Sequence, residues 1–270
     1  MSFKLAAIDL DGTLLDDNLY ISPRTRDTIR KSREAGCQVT LCTGRMFVSA
    51  LPYARQLGLD LPLITYHGAL VKASASGEEF YRRAVPLNLA REVLALAGEL
   101  GLHLNVYLED HIYVEKLTPE GEFYASLASI KPLVVGDLLN FLHDDPIKMV
   151  AVALKDQEPL ATMESRWRER RGNALYVTRS QKEFLEFMHP EATKGRGLAE
   201  LTRRLGLSRE EVLAIGDSWN DLEMFKEAGM AVAMGNAPPE VKSAASYVTK
   251  KVEDDGVAEA LEKLVLGTKS

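Results

Sequence analysis

The sequence predicts an α/β fold, a parallel-sheet core interrupted by an α+β insertion. Three observations predict it. Short apolar runs alternate with helical spacings at both ends of the chain, which is the pattern of parallel strands joined by crossover helices. Each of those runs ends in glycine or a polar residue, so polar chemistry gathers at one edge of the sheet. The middle of the chain differs, with strand-like runs that follow one another across a short turn.

The elements follow in order. Phe3–Leu10 is an apolar run that ends in carboxylates. Ser22-Pro23 signals the cap and first turn of a helix that Gly36 closes. Cys37–Cys42 is the next strand and leads into Thr43-Gly44-Arg45. Leu61–Tyr66 is the third, ending at His67-Gly68. Leu89, Val93, Leu96 and Leu100 keep helical spacing up to Gly101. Leu104–Leu108 and Ile112–Glu115 form a hairpin around Glu109-Asp110-His111. A strand at Lys148–Leu154, a helix at Pro159–Arg170 and strands at Ala174–Thr178 and Glu183–Met188 repeat that order. A helix over Gly195–Leu205 then precedes two more core strands. These are Val212–Ile215, ending at Gly216-Asp217, and Met230–Met234, ending at Gly235-Asn236. The boundaries fall near 83–85 and 189–190, giving a core of residues 1–84 and 189–270 and an inserted domain of residues 85–188.

Composition bounds the function. Apolar residues make up 46% and charged residues 27% of 270, which excludes a disordered chain. The net charge of −6 argues against a general nucleic-acid binder, although a local cluster of cations still suits a small anion. Cys37 and Cys42 match no disulfide framework and no zinc spacing, and they fit a reducing compartment. No apolar run is long enough to span a bilayer, and Asp9 and Asp11 come too early for a secretion signal. The expectation is a cytoplasmic protein with no membrane partner.

The strongest chemical signal is Asp9-Leu10-Asp11-Gly12-Thr13, two carboxylates at a strand end before a Gly-Thr turn. One carboxylate can attack phosphorus, and a neighbour can protonate the leaving oxygen. Solvated acids at a turn would give the same five letters. Gly216-Asp217-Ser218-Trp219-Asn220-Asp221 is a second acidic strand end, and a helix starting there would place Asp217 and Asp221, four apart, at its first turn. Four carboxylates at one sheet edge repel without a cation, and oxygen-only ligands suit Mg²⁺. Helix capping by Asp217 or Ser218 is compatible with the same residues. Thr43-Gly44 offers a hydroxyl and backbone N–H groups to a phosphate, but it is also a common turn. Lys194 at a helix start opposes the helix dipole, which neutralising a phosphate would explain; a solvated lysine is the alternative. The five histidines show no metal-ligand spacing.

Taken together, these residues resemble the haloacid dehalogenase (HAD) superfamily of phosphohydrolases. Within it they look most like the Cof-type branch, which carries a large α+β cap between its second and third motifs. The resemblance runs through ordered motifs over essentially the whole chain and implies a Rossmann-like core with an inserted cap. It makes Asp9 the nucleophile and Asp11 the acid–base. It assigns Thr43, Gly44, Lys194 and Asn220 to the phosphate. It gives Mg²⁺ the Asp9 and Asp217 carboxylates and the Asp11 backbone carbonyl, with Asp221 in support. The stretches Val232-Ala233-Met234-Gly235-Asn236-Ala237 and Asp255-Gly256-Val257-Ala258 also match. One departure is His67-Gly68-Ala69, where the branch usually has Asn-Gly-Ala.

The implied activity is hydrolysis of small phosphorylated metabolites, such as sugar phosphates or phosphorylated cofactors, under a cap that closes and selects them. A phosphomutase or phosphotransferase would use the same Asp9 chemistry, and a non-catalytic phosphometabolite sensor would use the same binding residues. Tyr107, Tyr113 and Lys148 are candidate cap contacts, although strand tyrosines more often serve packing.

Overall fold

The structure, a computed structural model of the protein, describes residues 3–128 and 130–268. The chain divides into two compact units, one running up to Tyr81 and resuming at Thr193, the other spanning Arg82–Ala192.

The first unit is built on a five-stranded parallel sheet. Its spatial order is Tyr247–Val248, Met230–Ala233, Val212–Gly216, Leu5–Ile8 and Gln38–Leu41. The three inner strands read LAAI, VLAIG and MAVA, nearly without polar residues, because a parallel sheet is covered on both faces. One face meets the helices Lys194–Leu205 and Leu222–Lys226 through Leu5, Ala7, Leu198, Leu201, Ala214 and Met224. The helices Pro23–Glu34 and Gly256–Leu264 pack on each other. Ser22 caps the first of these as expected, accepting from the Thr25 N–H at 3.0 Å. The sheet register matters most for function. Ile8 lies level with Ile215 on one side and with Leu41 on the other, so Asp9 emerges between Gly216 and Cys42.

The third expected core strand is different. Leu63–Thr65 meets the parallel sheet by a parallel bridge, Cys42 to Ile64, and by the Thr43 N–H donating to the Ile64 carbonyl at 2.9 Å, but it is not one of the sheet's five strands. It pairs antiparallel with Leu70–Lys72 in a small sheet that also includes Glu79–Arg82. An apolar run of six residues does not reveal whether its next neighbour is parallel or antiparallel, and here the chain doubles back at Tyr66-His67-Gly68. Tyr66 (φ 51°), His67 (φ 56°) and Gly68 (φ 92°) are all left-handed. Gly68 is required there, since a Cβ would lie 1.9 Å from the Thr193 carbonyl oxygen.

The second unit is a six-stranded sheet in the order Tyr176–Gln181, Phe184–Met188, Lys148–Val152, His103–Leu108, His111–Val114, Leu133–Val134. All pairs are antiparallel except the last. The hairpin turn is two residues rather than three. Glu109 and Asp110 both take positive φ, and His111 already pairs with Leu108. That is the backbone a two-residue hairpin demands, reached here without glycine. The helices Leu87–Glu99 and Glu158–Arg171 contribute Val93, Leu96, Met163 and Trp167 to an apolar core with Val106, Met149 and Phe187. On the other face, Lys148 and Glu186 form a buried ion pair at 2.7 Å, and the Tyr107 hydroxyl donates to Tyr124. Tyr113 packs on Phe141. Among the described residues, no helix is long and apolar enough to cross a membrane.

Candidate active site

The site is built at the carboxyl ends of three adjacent strands. Asp9 continues the first strand by one residue, its N–H donating to the Ile215 carbonyl at 3.0 Å. The chain then coils tightly. The N–H groups of Thr13, Leu14 and Leu15 all converge on the Leu10 carbonyl, and Gly12 N–H donates to Leu15. Gly12 has φ +76°, and a Cβ there would stand 2.6 Å from Asp217 Oδ2, so only glycine lets the two acidic loops meet. The Thr13 hydroxyl donates to Asp217 Oδ1 at 2.9 Å and fixes the second loop against the first. Asn236 Nδ2 donates to the Gly12 carbonyl at 2.8 Å, which gives the Met234-Gly235-Asn236 stretch a bracing role.

Lys194 is the first residue of its helix, after the N-cap Thr193. Its side chain is 1% exposed, which excludes the solvated-lysine alternative. Its Nζ lies 2.7 Å from Asp9 Oδ1 and 2.6 Å from Asp221 Oδ1. The other Asp221 oxygen accepts from the N–H groups of Asp217 (3.0 Å) and Ser218 (2.9 Å). The expected helix start at Asp217 is corrected to a short 3-10 turn over Trp219–Asp221, with the α-helix beginning only at Leu222. Asp221 thus closes a capping box on Ser218 and holds the lysine at the same time.

The electrostatics follow from burial. Desolvation pulls the Lys194 ammonium down, but Asp221 and Asp9 outweigh it and hold the group above its ordinary range. Burial pushes Asp9 well above the usual carboxylate range, with Lys194 opposing and Asp221 reinforcing. Asp217 is pushed up to about 6, first by burial and then by Asp221. Among the described residues, Asp9, Asp217 and Asp221 bring carboxylate oxygens within 4.8 Å of one another, a group that could hold a metal ion. One lysine against three carboxylates leaves two negative charges, the complement of a divalent cation. The all-oxygen donor set fits a hard one.

A pH dependence follows. Asp217 binds its proton more tightly folded than unfolded, so its stabilising contribution is complete below about pH 4 and is lost as pH rises through about 6. Without divalent cations, the melting temperature therefore falls between pH 5 and 7.5. The loss over that window is about 1 kcal/mol, and a saturating divalent cation abolishes it. Thermal melts in EDTA and in excess cation at both pH values test this; parallel curves in both conditions would contradict it.

The remaining candidates lie around this cluster. Thr43 is buried, and its hydroxyl accepts from the Arg45 N–H at 3.1 Å. Gly44 lies under the His67 ring, where a Cβ would be 2.4 Å from Cε1, so the unusual histidine packs on the Thr43-Gly44 turn. Asn220 is exposed and outside the carboxylate group, its Oδ1 accepting from Ser218 Oγ at 2.9 Å. The Asp11 carboxylate lies outside the group formed by Asp9, Asp217 and Asp221, which leaves its backbone carbonyl as the expected metal contact. Arg45 holds the carboxylate in a two-pronged ion pair. Asp255 caps the Pro23–Glu34 helix from a distance, accepting from Ser22 and Thr25, so this motif residue braces the fold.

Known proteins resemble this chain over nearly its whole length. The profile of the haloacid dehalogenase-like hydrolases matches residues 6–261. The 5-amino-6-(5-phospho-D-ribitylamino)uracil phosphatase YcsE of Bacillus subtilis is 32% identical over 270 residues, covering 98% of this chain and 97% of its own. The crystal structure of a haloacid dehalogenase-like hydrolase from Bacteroides thetaiotaomicron superposes with a TM-score of 0.90 at 34% identity. That match covers 97% of this chain and 99% of the other. A crystal structure from Thermotoga maritima gives 0.90 at 31%, covering 99% and 98%.

Proposed function

This chain belongs to the haloacid dehalogenase-like hydrolase family, and we propose that it is a Mg²⁺-dependent phosphatase acting on monoesters of small phosphorylated metabolites through an aspartyl phosphate. The observation that carries the reading is Asp9, a carboxylate at a strand end, buried and held by Lys194 beside two further acids. The relative named for a phosphorylated ribitylaminouracil supports the substrate class.

Asp9, Asp217 and Asp221, with the Asp11 carbonyl, would hold Mg²⁺, which draws charge from the phosphoryl oxygens when bound. Asp9 supplies the attacking oxygen. Its bond to phosphorus forms as the ester bond breaks, and the leaving oxygen takes a proton from Asp11. In the second half Asp11 takes a proton from water as that water displaces Asp9 and releases phosphate. Lys194 keeps Asp9 oriented and offsets charge on the transferring group, and Thr43 and Gly44 hold its oxygens. Asn220 completes the contacts at the acidic loop, and residues 85–188 select among leaving groups.

The test is phosphate release from a panel of phosphorylated metabolites, with Mg²⁺ and with EDTA. Metal-dependent release is expected, and its absence across the panel would refute the reading. Asp11→Asn is expected to lower turnover of alkyl phosphates by roughly 10²–10⁴-fold, the usual worth of a general acid–base. An unchanged rate would remove Asp11 from the mechanism.

A further inference from the structure

We infer that Arg45 is the positioning residue for Asp11, fixing the carboxyl group in the orientation from which its proton reaches the leaving oxygen. The inference rests on the reading above that Asp11 is the proton donor. Asp11 needs such a partner. Its side chain is 52% exposed, it stands outside the buried carboxylate group, and a two-torsion side chain at a loop has several solvated rotamers.

Arg45 removes that freedom. Its Nε lies 2.8 Å from Asp11 Oδ2 and 3.1 Å from Oδ1, and its Nη2 lies 2.6 Å from Oδ1. A planar fork on a planar carboxylate fixes both direction and rotation, which a lysine cannot do. A carboxyl group has about four lone-pair sites, so the fork occupies one edge of Asp11 and leaves the other edge open to a leaving oxygen or a water.

Arg45 is itself anchored at several points. Its backbone N–H donates to the Thr43 hydroxyl at 3.1 Å, and its carbonyl accepts from the Tyr66 N–H at 2.9 Å. Its guanidinium lies 5.3 Å from the centroid of the Tyr53 ring. The second strand's turn thereby positions the first strand's proton donor across 34 residues of sequence. A half-exposed ion pair contributes little to stability, so orientation is the effect that such a pair can deliver here.

Leaving-group chemistry separates this role from others. An alkoxide leaves only with a proton, whereas p-nitrophenolate leaves without one. The value of kcat/KM reports the steps through phosphoryl transfer, so a misplaced proton donor lowers it for an alkyl phosphate far more than for p-nitrophenyl phosphate. Both esters carry the same phosphate, so a role in phosphate binding or in folding lowers both alike.

The experiment measures kcat/KM in Mg²⁺ for wild type, Arg45→Gln, Arg45→Lys, Asp11→Asn and the Arg45→Gln/Asp11→Asn double variant. The two substrates are p-nitrophenyl phosphate and the alkyl phosphate that the wild type cleaves fastest. Arg45→Gln is expected to lower the alkyl-to-aryl ratio by about tenfold or more, a part of the general-acid effect. Arg45→Lys, which keeps the charge without the fork, is expected in between. The double variant should fall no further than Asp11→Asn, and melting temperatures should move by less than roughly 3 °C. An equal loss on both esters, or losses that multiply in the double variant, would overturn the inference. No release from either ester by the wild type would instead overturn the phosphatase reading. An unchanged ratio in Asp11→Asn would overturn the role of Asp11.

Discussion

Asp9→Asn should end phosphate release while leaving the protein folded and no less stable. The amide keeps the shape of the carboxylate, and its oxygen still accepts from Lys194 Nζ, which lies 2.7 Å from Asp9 Oδ1. What disappears is the nucleophile, and the loss expected is at least about 10⁴-fold in kcat. Stability moves the opposite way. Asp9 is buried in a group of three carboxylates, and burial and Asp221 both work against its charge. Removing that charge relieves the crowding that remains when Mg²⁺ is absent. In EDTA the variant should therefore melt at or above the wild-type temperature, as substitutions at strained active sites often do. Phosphate release and thermal melts on the same preparations check both halves. Wild-type turnover in the variant would place the nucleophile elsewhere. A melting temperature many degrees lower would turn the lost activity into a folding defect.

Much of this site was legible because the pattern that makes a buried parallel strand also marks where it ends. LAAI followed by Asp9, and VLAIG followed by Asp217, put two acids at strand ends, and the Ile8–Ile215 register sets Asp9 level with Gly216, one residue before Asp217. Lys194 was legible for a different reason. A cation at the first turn of a helix is unfavourable alone, and its two carboxylate partners are the compensation. Three features were not legible, and each depends on contacts distant in sequence. The partnership of Arg45 with Asp11 joins two loops and leaves no trace in either local pattern. Leu63–Thr65 has the composition of a core strand, but the left-handed turn after it sends the chain into a separate small sheet. Asp255 sits in a stretch matched to the family, yet its bonds to Ser22 and Thr25 show a bracing task that sequence order could not assign. The expected helical turn at Asp217 failed on a local point. Asp221 turns its carboxylate back onto the Asp217 and Ser218 N–H groups, and this shapes a 3-10 turn before the helix can start.

Lys194→Met carries the largest expected effect on stability. Methionine fills nearly the same length of apolar stem but brings no charge and no donor. Asp9 and Asp221, 5% and 0% exposed, would lose the cation that sits between them, and Asp217 stands close by. Breaking a buried pair by removing one partner costs about 3–5 kcal/mol, because the remaining charge stays out of water. For a chain of this size that corresponds to a fall of roughly 6–20 °C in melting temperature. The cost depends on the acids being ionised, so its sign with pH is fixed. Protonating Asp9 and Asp217 removes the repulsion. The deficit is therefore greatest above the Asp217 value of about 6 and shrinks as pH falls below it. A divalent cation should restore part of the loss at neutral pH, since it answers the same uncompensated charge, but it cannot replace the Lys194 contact with Asp221. Melting the variant and the wild type at pH 5 and pH 7.5, with EDTA and with Mg²⁺, separates these contributions. Equal melting temperatures at pH 7.5 in EDTA would mean that Lys194 does not hold the acidic group together. A deficit independent of pH would trace the loss to packing of the stem, and the charge argument would fall with it.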